Sequence, residues 1–335
     1  MSRIRTTNVL ALLVFGIIFV FGDYVIVIGQ PSKPVLVALN KVDSTLAIID
    51  PLTMNIVFKV AVGDGPHEVV LSADGKTAFV ANYGAQTPGS SISVIDTTTG
   101  REIRRFDVSP LMRPHGLLVL GGKLYFTAEV NRVIARYDSV ANKIDWLMGT
   151  GQNVSHMLAG TSDQKRFYTA NIGSDSVTAF EFQTVPPAGS KVTHIAIGKQ
   201  PEAIDLSPDG KEIWAGLNVE GAIDVVDTAT NTFKEKIKIG GRPYRVKFTP
   251  DGKFVVNSMV ATKELLVIDA VTKKEIKRIK LDSVPLGIVF SADGKTAFVS
   301  VVEPDLILKI NIETGEVLGR VDSGKAPDGI AVAGM

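Results

Sequence analysis

Apolar residues in this chain come in short runs, not at helical spacing. Around residues 65–106 the runs are 68–71, 77–81, 91–95 and 102–106, rich in Val, Ile, Phe and Ala, with Gly, Asp, Ser and Thr clustered between them. Short β-branched and aromatic runs bounded by turn residues predict strands. The pattern repeats. SADGKTAFV at 72–80 returns letter for letter at 291–299, and looser copies begin at Leu206 (LSPDGKEIWAG), Phe248 (FTPDGKFVVNS) and Ala159 (AGTSDQKRFYTAN).

The copies open at Pro66, Pro114, Ser155, Pro201, Pro243, Pro285 and Pro327, at intervals of 41 to 48 residues. A period near 40 with four strands per unit predicts an all-β, radially repeated β-propeller. Asp74-Gly75, Asp209-Gly210, Asp251-Gly252 and Asp293-Gly294 are expected to supply the positive φ angles of tight hairpins, with Gly121-Gly122 and Asp163-Gln164 in their place in two units. Asp50, Asp96, Asp138, Asp227, Asp269 and Asn311 open the turns between third and fourth strands, and Glu181 departs from that rule. The first unit lacks an opening strand, while APDGIAVAGM at the C-terminus holds an opening strand and nothing more. Joining the two closes the ring at seven blades and removes both free edges.

PHEVVLSADGKTAFVANYG…SISVIDTTTGREI resembles the YVTN family of β-propeller repeats, part of a YncE-like and lactonase-like superfamily, and the likeness runs over residues 33–335. The resemblance implies the fold. It leaves function open, because such a family spans surface-layer proteins, periplasmic binders, lactonase-like enzymes and relatives of redox-enzyme propellers.

A formal net charge of +1 provides no field to recruit nucleic acid, and the absence of cysteine excludes disulfides, thiolate nucleophiles and thiolate metal ligands. The N-terminus adds a destination. Arg3 and Arg5 precede an apolar run at 9–21, the length of a signal-peptide core and short of a membrane span. Residues 1–29 are therefore expected to be a signal peptide or an N-terminal membrane anchor, and 30–335 the propeller, placed in the periplasm or outside the cell. Cleavage after Gly29 and an uncleaved anchor with Arg3 and Arg5 on the cytoplasmic side both remain open; only an uncleaved segment would bind membrane.

The residue after each repeat's opening position starts the innermost strand, beside the channel. That ring reads His67, His115, His156, Glu202, Tyr244, Leu286 and Asp328. Three of the chain's four histidines fall in it, in consecutive blades. A second ring, from the returning ends of the second strands, is read as Leu39, Asn82, Glu129, Asn171, Leu217, Met259 and Val301, polar beside the histidines and apolar across from them. His67, His115, His156 and Glu129 form a candidate set for a divalent metal, Zn²⁺ or Cu²⁺ with Fe also compatible, Glu129 serving as fourth ligand or as base. Arg113, Arg242 and Arg245 are candidates to hold an acidic substrate, and Tyr244 to act as acid or base. An inert ring of channel residues and a metal-free polar pocket are the competing readings. Loops 83–90 and 109–113 should overhang this entrance, and an insertion at 184–190 the opposite face.

The sequence thus supports a metal-dependent lyase, hydrolase or oxidoreductase acting on a small acidic molecule. The alternative is a non-catalytic scaffold that binds a small ligand or an envelope protein. A lactonase-like hydrolase is a third reading. No G-x-S-x-G, H-E-x-x-H, Walker or dinucleotide fingerprint occurs, which disfavours serine-nucleophile and nucleotide chemistry.

Overall fold

The computed structural model describes residues 33–184 and 189–335, together with the backbone of a short antiparallel pairing between Val20–Phe21 and Tyr24–Val25. The expected signal or anchor segment, 1–29, otherwise lies outside the described residues, as do 185–188 of the blade-four insertion.

Seven four-stranded antiparallel sheets form the blades. Blade two is typical: Pro66–Leu71 is innermost, followed outward by Thr77–Asn82, Ser91–Asp96 and Arg101–Asp107. Blade one takes its innermost strand from the C-terminus, Pro327–Ala333, which pairs with Val35–Asn40 (Val37 opposite Ala331). The ring is closed as the incomplete terminal units require.

Second and third strands are buried on both faces because each blade is sandwiched between two others, so they read as apolar runs without alternation. Phe79, Phe106, Phe126 and Tyr137 fill the space between blades two and three; Tyr125, Trp146, Phe167 and Phe180 that between three and four. The outermost strands are exposed and charged, as in Glu275–Lys280, where Arg278 pairs with Glu275 and Glu264. Charged edges of this kind block strand addition by another chain.

The turns refine the expectation. In the first hairpin of blade two only Gly75 takes a positive φ (70°), while Asp74 accepts bonds from the Ser72 hydroxyl and the Lys76 N–H. Asp96 accepts the Thr98 and Thr99 N–H groups at 2.8 and 3.2 Å, and Asp50, Asp138, Asp227 and Asp269 do the same in their blades. Asn311 accepts from Thr314.

Candidate functional site

A β-bulge follows the opening residue of every innermost strand. Pro66 faces Asn82 but Glu68 faces Ala81, so His67 is the extra, unpaired residue, and the pattern recurs in all seven blades. A bulge re-aims the side chain it carries. Here it gathers His67, His115, His156, Glu202, Tyr244, Leu286 and Asp328 around the channel.

A device invisible to pattern reading holds this ring. The N–H after the bulge residue bonds a hydroxyl on the second strand, which donates to the ring carbonyl of the next blade. Gly116 N–H reaches Thr127 (2.8 Å) and Thr127 reaches the His156 carbonyl (2.6 Å). Ser258 links Arg245 N–H to Leu286, and Ser300 links Gly287 N–H to Asp328. The blades approach so closely that a Cβ on Gly116 would lie 2.6 Å from the His156 carbonyl oxygen.

The second ring needs correction. The residues facing the opening prolines are Asn40, Asn82, Leu217, Met259 and Val301, with Ala128 opposite Pro114 and Asn171 opposite Ser155. Leu39 and Glu129 are thus one residue out of register with the rest. The asparagines do not line the channel. Asn82 accepts the Gly63 N–H (2.9 Å) and donates to Ser91 and Ser93; Asn171 ties Ser155 to Ser176 and Thr178. Leu217, Met259 and Val301 are fully buried in the blades and form no apolar channel wall. The partners of the histidine ring come one residue later: Lys41, Tyr83, Glu129 and Asn218. Lys41 contacts Asp328 (3.3 Å), Asn218 donates to Glu202, and Tyr83 donates to Glu129 Oε2 (2.6 Å).

The structure brings His115, His156 and Glu129 together, one ligand atom from each lying within 4.8 Å of the others. Glu129 Oε1 is bonded to His156 Nδ1. It engages no side chain of Arg132, whose backbone N–H meets its carbonyl. The His115 ring stacks on His156 with centroids 3.7 Å apart and meets the edge of His67 at 4.5 Å. His115 is fully buried and neither ring nitrogen has a partner among the described residues. Burial first, then the neighbouring His156 and His67, hold its pKa well below the usual imidazole range, so it is neutral and keeps a free lone pair. An orphaned buried polar atom costs roughly 1–3 kcal/mol.

His67 faces an acid instead. Its Nδ1 lies 3.0 Å from Asp328 Oδ2, near but poorly aligned for a hydrogen bond. Asp328 is fully buried and also accepts from Tyr244 Oη at 3.1 Å. Burial alone would raise its pKa, but His67, Arg245 and Lys41 outweigh that and hold it far below the carboxylate range.

The three arginines part company. Arg113 packs over the Tyr83 ring (4.4 Å) and, at φ 54°, joins the loops: its N–H reaches Gly89 O (2.8 Å) and its carbonyl accepts from Glu129 N–H (3.2 Å). Loops 83–90 and 109–113 do meet at this entrance. Arg242 is exposed, 4.0 Å from Glu202. Arg245 is buried and reaches across the channel from blade six to pair with Glu68 of blade two, contacting Met157 Sδ at 3.5 Å and passing over Tyr244 at 5.1 Å. Beyond that pair a cavity of about 1020 Å³ opens toward the opposite face, lined by Val70, Leu117, Asp205 and Lys247 among others. The Glu68–Arg245 pair therefore separates the histidine layer from the cavity.

The tyrosines give a pH test. Burial, then Glu129, push Tyr83 up to about 12, and burial, then Asp328, push Tyr244 well above 10. A raised folded-state pKa contributes stability that is complete below the unfolded value near 10 and is lost as pH rises through the folded value. Ultraviolet titration should show late-ionising phenols, one removed by Tyr83→Phe and one by Tyr244→Phe. Ionisation of both near pH 10 contradicts this geometry.

A family profile described as YNCE-like beta-propeller matches residues 27–184 and 121–288. Antigen Lp49 of Leptospira interrogans is 28% identical over 167 residues, covering 43% of this chain and 35% of the relative, so the chain spans about a third of that protein's length. Among solved structures, a functionally unknown protein of Desulfotomaculum acetoxidans DSM 771 has a TM-score of 0.75 at 13% identity, over 89% of this chain and 98% of that one. Hydrazine synthase of Kuenenia stuttgartiensis has a TM-score of 0.63 at 21% identity, over 74% and 77%. At such identities the structural likenesses establish the fold alone.

Proposed function

The chain belongs to the YNCE-like β-propeller family, and from that premise we propose that it holds one divalent transition-metal ion at the channel mouth, bound by His115 and His156 beside Glu129. The observation that carries this reading is the pair of unpartnered ring nitrogens on fully buried, neutral His115, next to a second imidazole and a carboxylate. Neutral imidazoles suit Zn²⁺, Cu²⁺ or Fe. So few protein ligands leave coordination positions for water or substrate, the catalytic pattern. Such an ion would act as Lewis acid or redox centre in a lyase, hydrolase or oxidoreductase. Arg113, over Tyr83, and exposed Arg242 are the arginines left to hold a small acidic substrate, whereas Arg245 is committed to Glu68. The basic and apolar start of the sequence supports an exported protein, periplasmic or extracellular.

A scaffold reading has one observation in its favour. Val42, Val130 and Val219, on loops between second and third strands of blades one, three and five at the same entrance, are 73, 54 and 62% exposed, and an envelope protein partner would meet the entrance through these loops.

Adding Cu²⁺ to the metal-free full chain tests the metal reading. One bound ion with nitrogen hyperfine structure in its electron paramagnetic resonance spectrum, lost in His115→Ala/His156→Ala, is the expected result. A spectrum unchanged by that double variant would count against the site.

A further inference from the structure

Glu129 is the one acid in the cluster among the described residues, and each of its oxygens makes a hydrogen bond. Oε2 accepts the Tyr83 hydroxyl at 2.6 Å and Oε1 is bonded to Nδ1 of His156. Tyr83 is in turn covered by the Arg113 guanidinium, 4.4 Å from its ring. Loop backbone supports the same chain, through the Arg113 carbonyl and the Glu129 N–H. Residues from blades two, three and four thus form a line, Arg113–Tyr83–Glu129–His156, ending on an imidazole nitrogen. Each oxygen keeps a second lone pair, but the carboxylate's orientation is already set by these two bonds. An imidazole whose Nδ1–H is donated to a carboxylate is fixed in one tautomer, with its Nε2 lone pair free for a metal. On the other side of His115, His67 also faces a carboxylate, Asp328, but without an aligned hydrogen bond.

We propose that Glu129, backed by Tyr83, is a positioning residue and not a ligand: it fixes His156 as the Nδ1–H tautomer, so that ring nitrogens alone from this cluster bind the ion. This rests on the metal reading above and deepens it. A nitrogen donor set favours Cu²⁺ over Zn²⁺ and gives no purchase to Ca²⁺ or Mg²⁺, which require oxygen ligands.

The test combines Zn²⁺ titration against a chromophoric chelator with ¹⁵N NMR of the imidazoles in the metal-free full chain. Glu129→Leu should still bind one equivalent, about 10- to 100-fold more weakly, and His156 should lose its Nδ1–H signature. Glu129→Gln keeps an amide oxygen that can accept the Nδ1–H, so it should restore the tautomer and part of the affinity. Equal loss of stoichiometry in both variants, with the His156 tautomer unchanged, would make Glu129 a ligand and overturn the proposal. Should the unmodified protein take up no Zn²⁺ or Cu²⁺, the metal reading falls while NMR still decides the positioning role. Nδ1–H lost on Glu129→Leu upholds it; Nε2–H in the unmodified protein overturns it.

Discussion

Truncation after Ala326 is expected to abolish cooperative folding. The deleted strand, Pro327–Ala333, is the innermost strand of blade one and closes the ring. Its removal strips Ile330 from the core and uncovers one edge of Val35–Asn40, every residue of which is buried. Burying one large aliphatic side chain is worth about 1.5–3 kcal/mol, and each buried backbone group left unpaired costs about 1–3 kcal/mol more. A few such terms match the roughly 5–15 kcal/mol by which a domain is stable. The deletion also removes Asp328, leaving Lys41 and Tyr244 without their acceptor. Circular dichroism through a urea titration should show no sigmoidal transition. A midpoint and slope matching the intact chain would show that closure contributes little.

Arg245→Met should cost about 3–5 kcal/mol, the usual penalty for breaking a buried ion pair from one side. The guanidinium is 7% exposed, pairs with Glu68 and lies 4.0 Å from Asp328. Burial would lower its pKa, but Glu68, Tyr244 and Asp328 override that and raise it, so the charge persists. Methionine leaves buried Asp328 and partly buried Glu68 short of a counter-charge. Urea midpoints should fall with the slope unchanged. Adding Glu68→Leu should recover part of the loss, because an apolar pair is tolerated where a lone charge is not. A shift under about 1 kcal/mol for Arg245→Met would show that the brace carries no load.

Much of this architecture is legible in the chain because each blade states its own strands and turns. The prolines, the Asp-Gly hairpins, the Asx turns and the incomplete terminal units led to seven closed blades. The residue after each opening position places the three histidines in one ring, where the structure puts them on bulges. Register at the ends of the second strands was not legible. In blade three Ala128 takes the place that asparagine marks in blade two, and in blade one Asn40, not Leu39, is that asparagine. The slip matters because the next residue along, not the asparagine, meets the ring. Tyr83 follows Asn82 directly, yet nothing in the repeat pattern marks it as a partner of the ring. Contacts across the channel left no local trace either: Glu68 and Arg245 are 177 residues apart, and Thr127, Ser258 and Ser300 act on the neighbouring blade.

Buried, neutral His115 is the centre of the proposed metal site. Elemental analysis of the full chain, purified without a histidine tag, measures it most directly. About one equivalent of Zn, Cu or Fe per chain, absent from a folded His115→Ala/His156→Ala variant, is the result this account predicts. Metal far below one equivalent after exposure to each ion, or content unchanged in the double variant, would contradict it.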